Sequence, residues 1–206
     1  MRAHNGHRAI LSDLDGVLVD SGTSIEETWR AWAAARAIDF ALLDGQFHGV
    51  PSLAVIRRVA PHLDAHAESA TVEQMEIDNP VATVLPGAAA LLAGATGLPV
   101  AIVTSCTDAL ARARLREAAL PVPEIMVTAD RVANGKPDPE GYRAAAAALG
   151  VDPADCLVLE DAPAGIAAGR AAGATVVGIT TTHAREELGA AHRLARSVAE
   201  ALGLPA

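Results

Sequence analysis

The sequence predicts an α/β fold, a parallel sheet with helices on both faces, interrupted after its first strand by a small all-helical insert. Three observations carry this. Short, continuously apolar runs recur along the chain and alternate with stretches of helical length, the pattern of βαβ units. These runs lack apolar–polar alternation, as in Leu157-Val158-Leu159, which fits strands buried on both sides. Between Ser21 and Val84 the rhythm stops, and only helix-like segments appear. The 206 residues are 51% hydrophobic but only 2% aromatic, which favours Ala-rich helices packed on a sheet of Val, Leu and Ile.

The first strand is predicted over Ala9–Leu14 and ends in Asp13-Leu14-Asp15-Gly16. Strand alternation puts Asp13 and Asp15 on one side and turns Leu14 into the core. Two carboxylates that close repel, and a bound cation or a shared proton relieves the repulsion. Gly16 lets the chain turn sharply beside them.

The insert, residues 21–84, opens on Ser24-Ile25-Glu26-Glu27, a capping-box pattern, with Ile25, Trp29, Trp32 and Ala33 on one helix face as its core. Further helical pieces are predicted over Ala41–His48, Ser52–Ala60 and Asp64–Asp78, and Pro86-Gly87 marks the return to the main rhythm. The core domain is then residues 1–20 and 85–206. Its later strands are predicted over Pro99–Thr104, Glu124–Thr128, Cys156–Leu159 and Thr175–Ile179, with helices over Thr107–Ala119, Pro139–Leu149 and Pro163–Ala172. Ala191–Leu202 fits either an edge strand with a helix or a single helix.

A formal net charge of −9 argues against nucleic acid or an anionic membrane as partner, because no basic stripe exists to displace counterions. No run of about 18 apolar residues offers a membrane span. The first eight residues are polar and His-rich, unlike a secretory signal. Cys106 and Cys156 lack metal-ligand spacing and read as reduced residues of a cytoplasmic protein. Nothing in the sequence points to a protein partner.

Three further features fall at strand ends, where open α/β sheets bind ligands. Ala101-Ile102-Val103-Thr104-Ser105 is a strand ending in hydroxyls before a helix, and Ser105 with the free N–H groups beyond it suits a phosphate oxygen. In Asn134-Gly135-Lys136-Pro137-Asp138-Pro139, Pro139 suits a helix start, so Lys136 sits in a rigid loop just before a helix and its ammonium serves as a fixed counter-charge. Leu157-Val158-Leu159-Glu160-Asp161 is a buried strand ending in adjacent acids. One of them can complete an all-oxygen Mg²⁺ site with Asp13 and the Asp15 carbonyl.

The motifs D-L-D-G-V-L-V-D-S, I-V-T-S, G-K-P-D-P and E-D-A-P-A-G-I-A-A-G resemble those of the haloacid dehalogenase-like hydrolase superfamily. The resemblance covers nearly the whole chain, and its longer stretches look like the sugar- and polyol-phosphate phosphatases of that superfamily. It implies a Rossmann-like core with a helical cap inserted after the first strand, and Mg²⁺-dependent hydrolysis of a small phosphorylated metabolite. By the same resemblance Asp13 is the nucleophile and Asp15 the acid–base residue. Asp13, the Asp15 carbonyl and Asp161 hold Mg²⁺, with Glu160 an outer or water-mediated partner, and Ser105 and Lys136 grip the phosphate. His48 and Gly49 match the cap region of that branch as substrate contacts, and Val50, Trp29 and Trp32 are further candidates there.

Two positions depart from the family pattern. Val17 stands where threonine is usual, and Ser12 where a bulky apolar residue is common. A sugar phosphomutase of the beta-phosphoglucomutase type shares the aspartate pair but carries a cap arginine just after a Gly-Val pair. Gly49-Val50 is followed by Pro51-Ser52, and Arg57 and Arg58 lie too far on to replace it. A non-catalytic phosphate-binding protein is the other alternative.

Overall fold

The computed structural model describes residues 6–43, 47 and 50–205. In chain order its elements are β1 (Ala9–Ser12), β2 (Val19–Asp20), α1 (Gly22–Ala35), α2 (Ser52–Val59), α3 (Ala65–Asp78), β3 (Thr83–Val84) and α4 (Ala88–Leu92). There follow β4 (Val100–Val103), α5 (Asp108–Glu117), β5 (Ile125–Val127), α6 (Glu140–Ala148), β6 (Cys156–Glu160), α7 (Pro163–Ala172), β7 (Thr175–Ile179), β8 (Arg193–Ala195) and α8 (Val198–Leu202).

Six strands form one sheet in the order β5-β4-β1-β6-β7-β8, every neighbouring pair parallel. β1 lies inside the sheet, with Leu11 beside Ala101 on one flank and Val158 on the other. Successive residues of one strand serve opposite faces. Ile10, Ile102 and Leu157 pack with Leu91 of α4, Leu115 of α5 and Val198 of α8. Leu11, Val103 and Val158 pack with Tyr142 and Ala146 of α6 and Ile166 of α7. The strands therefore read as unbroken apolar runs because both faces are covered.

Helices α1, α2 and α3 bury a separate cluster built on Trp29, Trp32, Leu43, Val55, Ile56 and Val72. Trp29 and Trp32 meet edge to face, 5.4 Å between ring centroids. Ile25 packs against this cluster, as its place on the apolar stripe predicts.

The structure departs from the sequence reading at several points. β1 ends at Ser12, so Asp13 and Asp15 stand in the loop beyond it rather than on the strand. That loop is closed by backbone bonds from Leu18 and Val19 to the Leu14 carbonyl, and Gly16 takes φ +75°. The two-stranded ribbon β2–β3, which precedes α1 and follows α3, carries no sequence signal of its own; it is two residues deep, with β3 exposed. Helix α1 begins at Gly22, so Ser24 is not its cap; Ser24 donates instead to the Asn79 carbonyl at 2.8 Å. Of the piece predicted over Ala41–His48, the described residues show a 3₁₀ turn at Phe40–Leu42, and residues 44–46 and His48 lie outside them. Ala191–Leu202 divides into strand β8 and helix α8. Among the described residues no helix is long and apolar enough to cross a membrane.

Candidate active site

The loops at the carboxyl ends of the parallel strands converge beneath α1–α3 and enclose a cleft of about 300 Å³. Asp13 lies at its base, where the Lys136 ammonium stands 3.0 Å from Oδ1 and the Leu14 backbone N–H donates to the same oxygen at 2.7 Å. Lys136 also reaches Glu160 Oε1 at 2.6 Å. Glu160 is fully buried and accepts further bonds from the Tyr142 hydroxyl at 2.7 Å and the Asp161 N–H at 3.1 Å. Asp161, also buried, accepts from the Thr182 hydroxyl.

Asp13, Glu160 and Asp161 bring one carboxylate oxygen each within 4.8 Å of one another. Two glycines make this approach possible. A Cβ on Gly16 would overlap the Asp161 carboxylate, and one on Gly165 would overlap that of Glu160. Three acids then face a single ammonium. Burial, reinforced by Glu160, Asp161 and Asp15, raises the Asp13 pKa well above the carboxylate range despite Lys136. Burial and Glu160 push Asp161 up to about 7. Burial disfavours the Lys136 ammonium, but Asp13 and Glu160 outweigh it and hold the charge on. A buried, all-oxygen donor set with surplus negative charge fits a hard divalent cation such as Mg²⁺.

Asp15 has partners of its own. The Ser21 hydroxyl donates to Oδ1 at 2.6 Å, and Arg114 Nη1 and Cys106 Sγ approach Oδ2 at 2.7 and 3.1 Å. The two aspartates thus rest against different cations, Lys136 and Arg114. Ser21 precedes α1 without capping it, because its hydroxyl is spent on Asp15.

Ser105, exposed at the end of β4, lines the same cleft as Asp13, Asp15 and Asp161, while Lys136 and Glu160 sit behind it. Glu160, assigned from the sequence to the cation's surroundings, also serves as the anchor of Lys136. His48 and Gly49 lie outside the described residues. Trp29 and Val50 line the cleft; Trp32 is buried behind it, its indole N–H donating to Glu68 at 2.7 Å. Val17 packs in the core, and Ser12 donates to the Asp13 carbonyl at 2.7 Å.

Sequence reasoning passed over Arg114, Glu76, Ser21, Cys106, Tyr142 and Thr182. Two of them had a signal. Arg114 falls on the apolar stripe of α5 with Leu110, Ala111 and Leu115, where a charge needs a buried partner. Thr180-Thr181-Thr182 follows β7 as Thr104-Ser105 follows β4, hydroxyls at a strand's carboxyl end.

The chain is 40% identical over 178 residues to hexitol phosphatase A of Escherichia coli (strain K12), covering 84% of this chain and 82% of that one. It is 35% identical over 205 residues to validoxylamine A 7′-phosphate phosphatase of Streptomyces hygroscopicus subsp. limoneus, covering 94% and 95%. Among solved structures, CbbY from Rhodobacter sphaeroides in complex with phosphate superposes with a TM-score of 0.80 at 25% identity, over 94% of this chain and 96% of that one. The model of the haloacid dehalogenase-like hydrolases matches residues 7–173, and the chain belongs to that family.

Proposed function

We propose that this chain is a phosphatase that hydrolyses a small sugar or polyol phosphate through a phosphoryl-enzyme formed on Asp13. The observation that carries this reading is the acidic cluster of Asp13, Glu160 and Asp161, pinned by Lys136 at the base of a cleft. Its relatives named hexitol phosphatase A and validoxylamine A 7′-phosphate phosphatase point to the substrate class. Residues 21–84 act as a cap over the core formed by 1–20 and 85–206, and the free thiols of Cys106 and Cys156 suit the cytoplasm.

In this account an Asp13 carboxylate oxygen attacks phosphorus, and the bond from phosphorus to the substrate oxygen breaks. Asp15 gives its proton to the departing alkoxide. Water then attacks the phosphorus of the aspartyl-phosphate, Asp15 takes a proton from it, and phosphate leaves with Asp13 restored. Asp13, the Asp15 carbonyl and Asp161 would hold Mg²⁺, which supplies positive charge to offset the meeting of carboxylate and phosphate. Lys136 opposes the charge that develops on the equatorial oxygens, and Ser105 positions one of them.

The phosphomutase alternative needs a cap cation for a second phosphate. Among the described residues lining the cleft, the insert contributes Ser52, Ser69, Glu73 and Glu76 but no arginine or lysine. Arg57 is turned to His66 at 3.3 Å instead. A panel of sugar and polyol phosphates, assayed with Mg²⁺ and with chelator, tests the reading. Free phosphate released only with the metal supports it. Conversion of a sugar 1-phosphate to its 6-phosphate, or turnover unchanged by chelation, contradicts it.

A further inference from the structure

The Arg114 side chain is 3% exposed, yet it touches three groups on three segments of the chain. Nη1 lies 2.7 Å from Asp15 Oδ2 and 2.9 Å from Cys106 Sγ, and Nη2 lies 3.0 Å from Glu76 Oε2 on α3. A planar guanidinium held at both terminal nitrogens has one orientation, and it presents a fixed donor to its neighbour. Asp15 is thereby clamped on both oxygens, Oδ1 by Ser21 and Oδ2 by Arg114. Glu76 is anchored in turn. One turn before it on the same helix, Glu73 accepts from the Thr107 hydroxyl at the start of α5, so α3 lays two carboxylates against α5. Arg114 borders the cleft, but both its terminal nitrogens are engaged by protein groups, which places it to orient a carboxylate rather than to grip a ligand.

We propose that Arg114 is a positioning residue for Asp15, itself held in register by Glu76. The inference rests on the reading of Asp15 as the group that protonates the leaving oxygen. Proton transfer needs heavy atoms within about 2.6–3.2 Å, a range that one free rotation of the Asp15 side chain would miss. A purely structural role for a buried arginine with two acidic partners predicts equal losses on every ester, so the test separates orientation from folding.

Leaving-group chemistry does so. An alkoxide needs a proton to depart, whereas p-nitrophenolate leaves without one, and kcat/KM reports the steps up to that departure. With Mg²⁺ present, Asp15→Asn should lower kcat/KM for sorbitol 6-phosphate by about 10²–10⁴-fold and that for p-nitrophenyl phosphate by much less. Arg114→Met should show the same selectivity with a fall of about 10–100-fold, and Arg114→Lys a smaller one. Glu76→Gln, which keeps the shape, should show a selective fall of about 3–10-fold and carries the test if Arg114→Met does not fold. Equal losses on both esters, or none, in folded Arg114 and Glu76 variants overturn the inference. If Asp15→Asn itself shows no selectivity, the acid–base reading of Asp15 fails first, and this inference fails with it.

Discussion

Replacing Lys136 by methionine removes the one ammonium facing three acids while nearly conserving side-chain length. At an effective dielectric of about 20, unit charges at the observed 2.6 and 3.0 Å attract by about 6 kcal/mol each. Most of this repays the desolvation of the ammonium, and breaking a buried pair from one side costs a net loss of about 3–5 kcal/mol. Glu160 keeps its bonds from Tyr142 and Asp161, so the loss should fall near about 3 kcal/mol. Urea unfolding of the metal-free protein measures it. Adding Glu160→Gln to Lys136→Met removes the stranded charge and should return about half of the loss, a coupling read from the double-mutant cycle. Activity with Mg²⁺ should fall about 10²–10³-fold in Lys136→Met, the magnitude of losing one donor to developing charge. A stability loss below about 1 kcal/mol, or a double variant weaker than Lys136→Met alone, would refute the claim that Lys136 compensates buried charge.

Asp13→Asn should abolish turnover, by more than about 10³-fold, while leaving the fold intact by circular dichroism; substantial turnover by the folded variant would contradict this. Burial lifts Glu76 from 4.5 to about 7 against Arg114, with Asp15 and Glu73 adding to the rise. Folded Glu76 therefore holds its proton more tightly than unfolded Glu76, and the stability this confers is full below about pH 4.5 and lost as pH rises through about 7. Glu76→Gln should flatten unfolding free energy against pH across that window by up to about 3 kcal/mol, and parallel profiles would count against it. Gly16→Ala must place a Cβ onto the Asp161 carboxylate at φ +75°, so it should cost about 1–2 kcal/mol and weaken Mg²⁺ binding measured by calorimetry; unchanged affinity would mean that Gly16 is not needed for the site.

Why some of this was legible in the sequence and some was not follows from which forces act locally. Strands buried on both faces must be apolar throughout, so Leu157-Val158-Leu159 declared itself, whereas the ribbon of Val19-Asp20 and Thr83-Val84 has too few residues to carry a pattern. The aspartate pair was legible as chemistry but not as geometry. Turn bonds to the Leu14 carbonyl end β1 two residues before the predicted strand end, and each carboxylate meets its own cation. Lys136 could be singled out because Pro137 and Pro139, just after it, fix the loop that leads into a helix. Arg114 could not be paired in advance, since its partners Asp15 and Glu76 lie 99 and 38 residues away. The Ser24 capping box failed for a related reason: α1 already begins at Gly22, and the Ser24 hydroxyl is used on the Asn79 carbonyl at the end of α3. Long-range charge pairing is a property of the fold, and the sequence shows only that a charge sits on an apolar stripe.

The central claim is that phosphate passes through Asp13, and trapping the phosphoryl-enzyme tests it most directly. Enzyme quenched during turnover and reduced with borohydride should carry homoserine at position 13, because hydride converts an acyl phosphate to an alcohol. Peptide mass spectrometry reads the change. Homoserine at position 13, absent from enzyme that has seen no substrate, is the predicted result. Unmodified Asp13 in an enzyme caught turning over, or reduction at another carboxylate, would contradict the account.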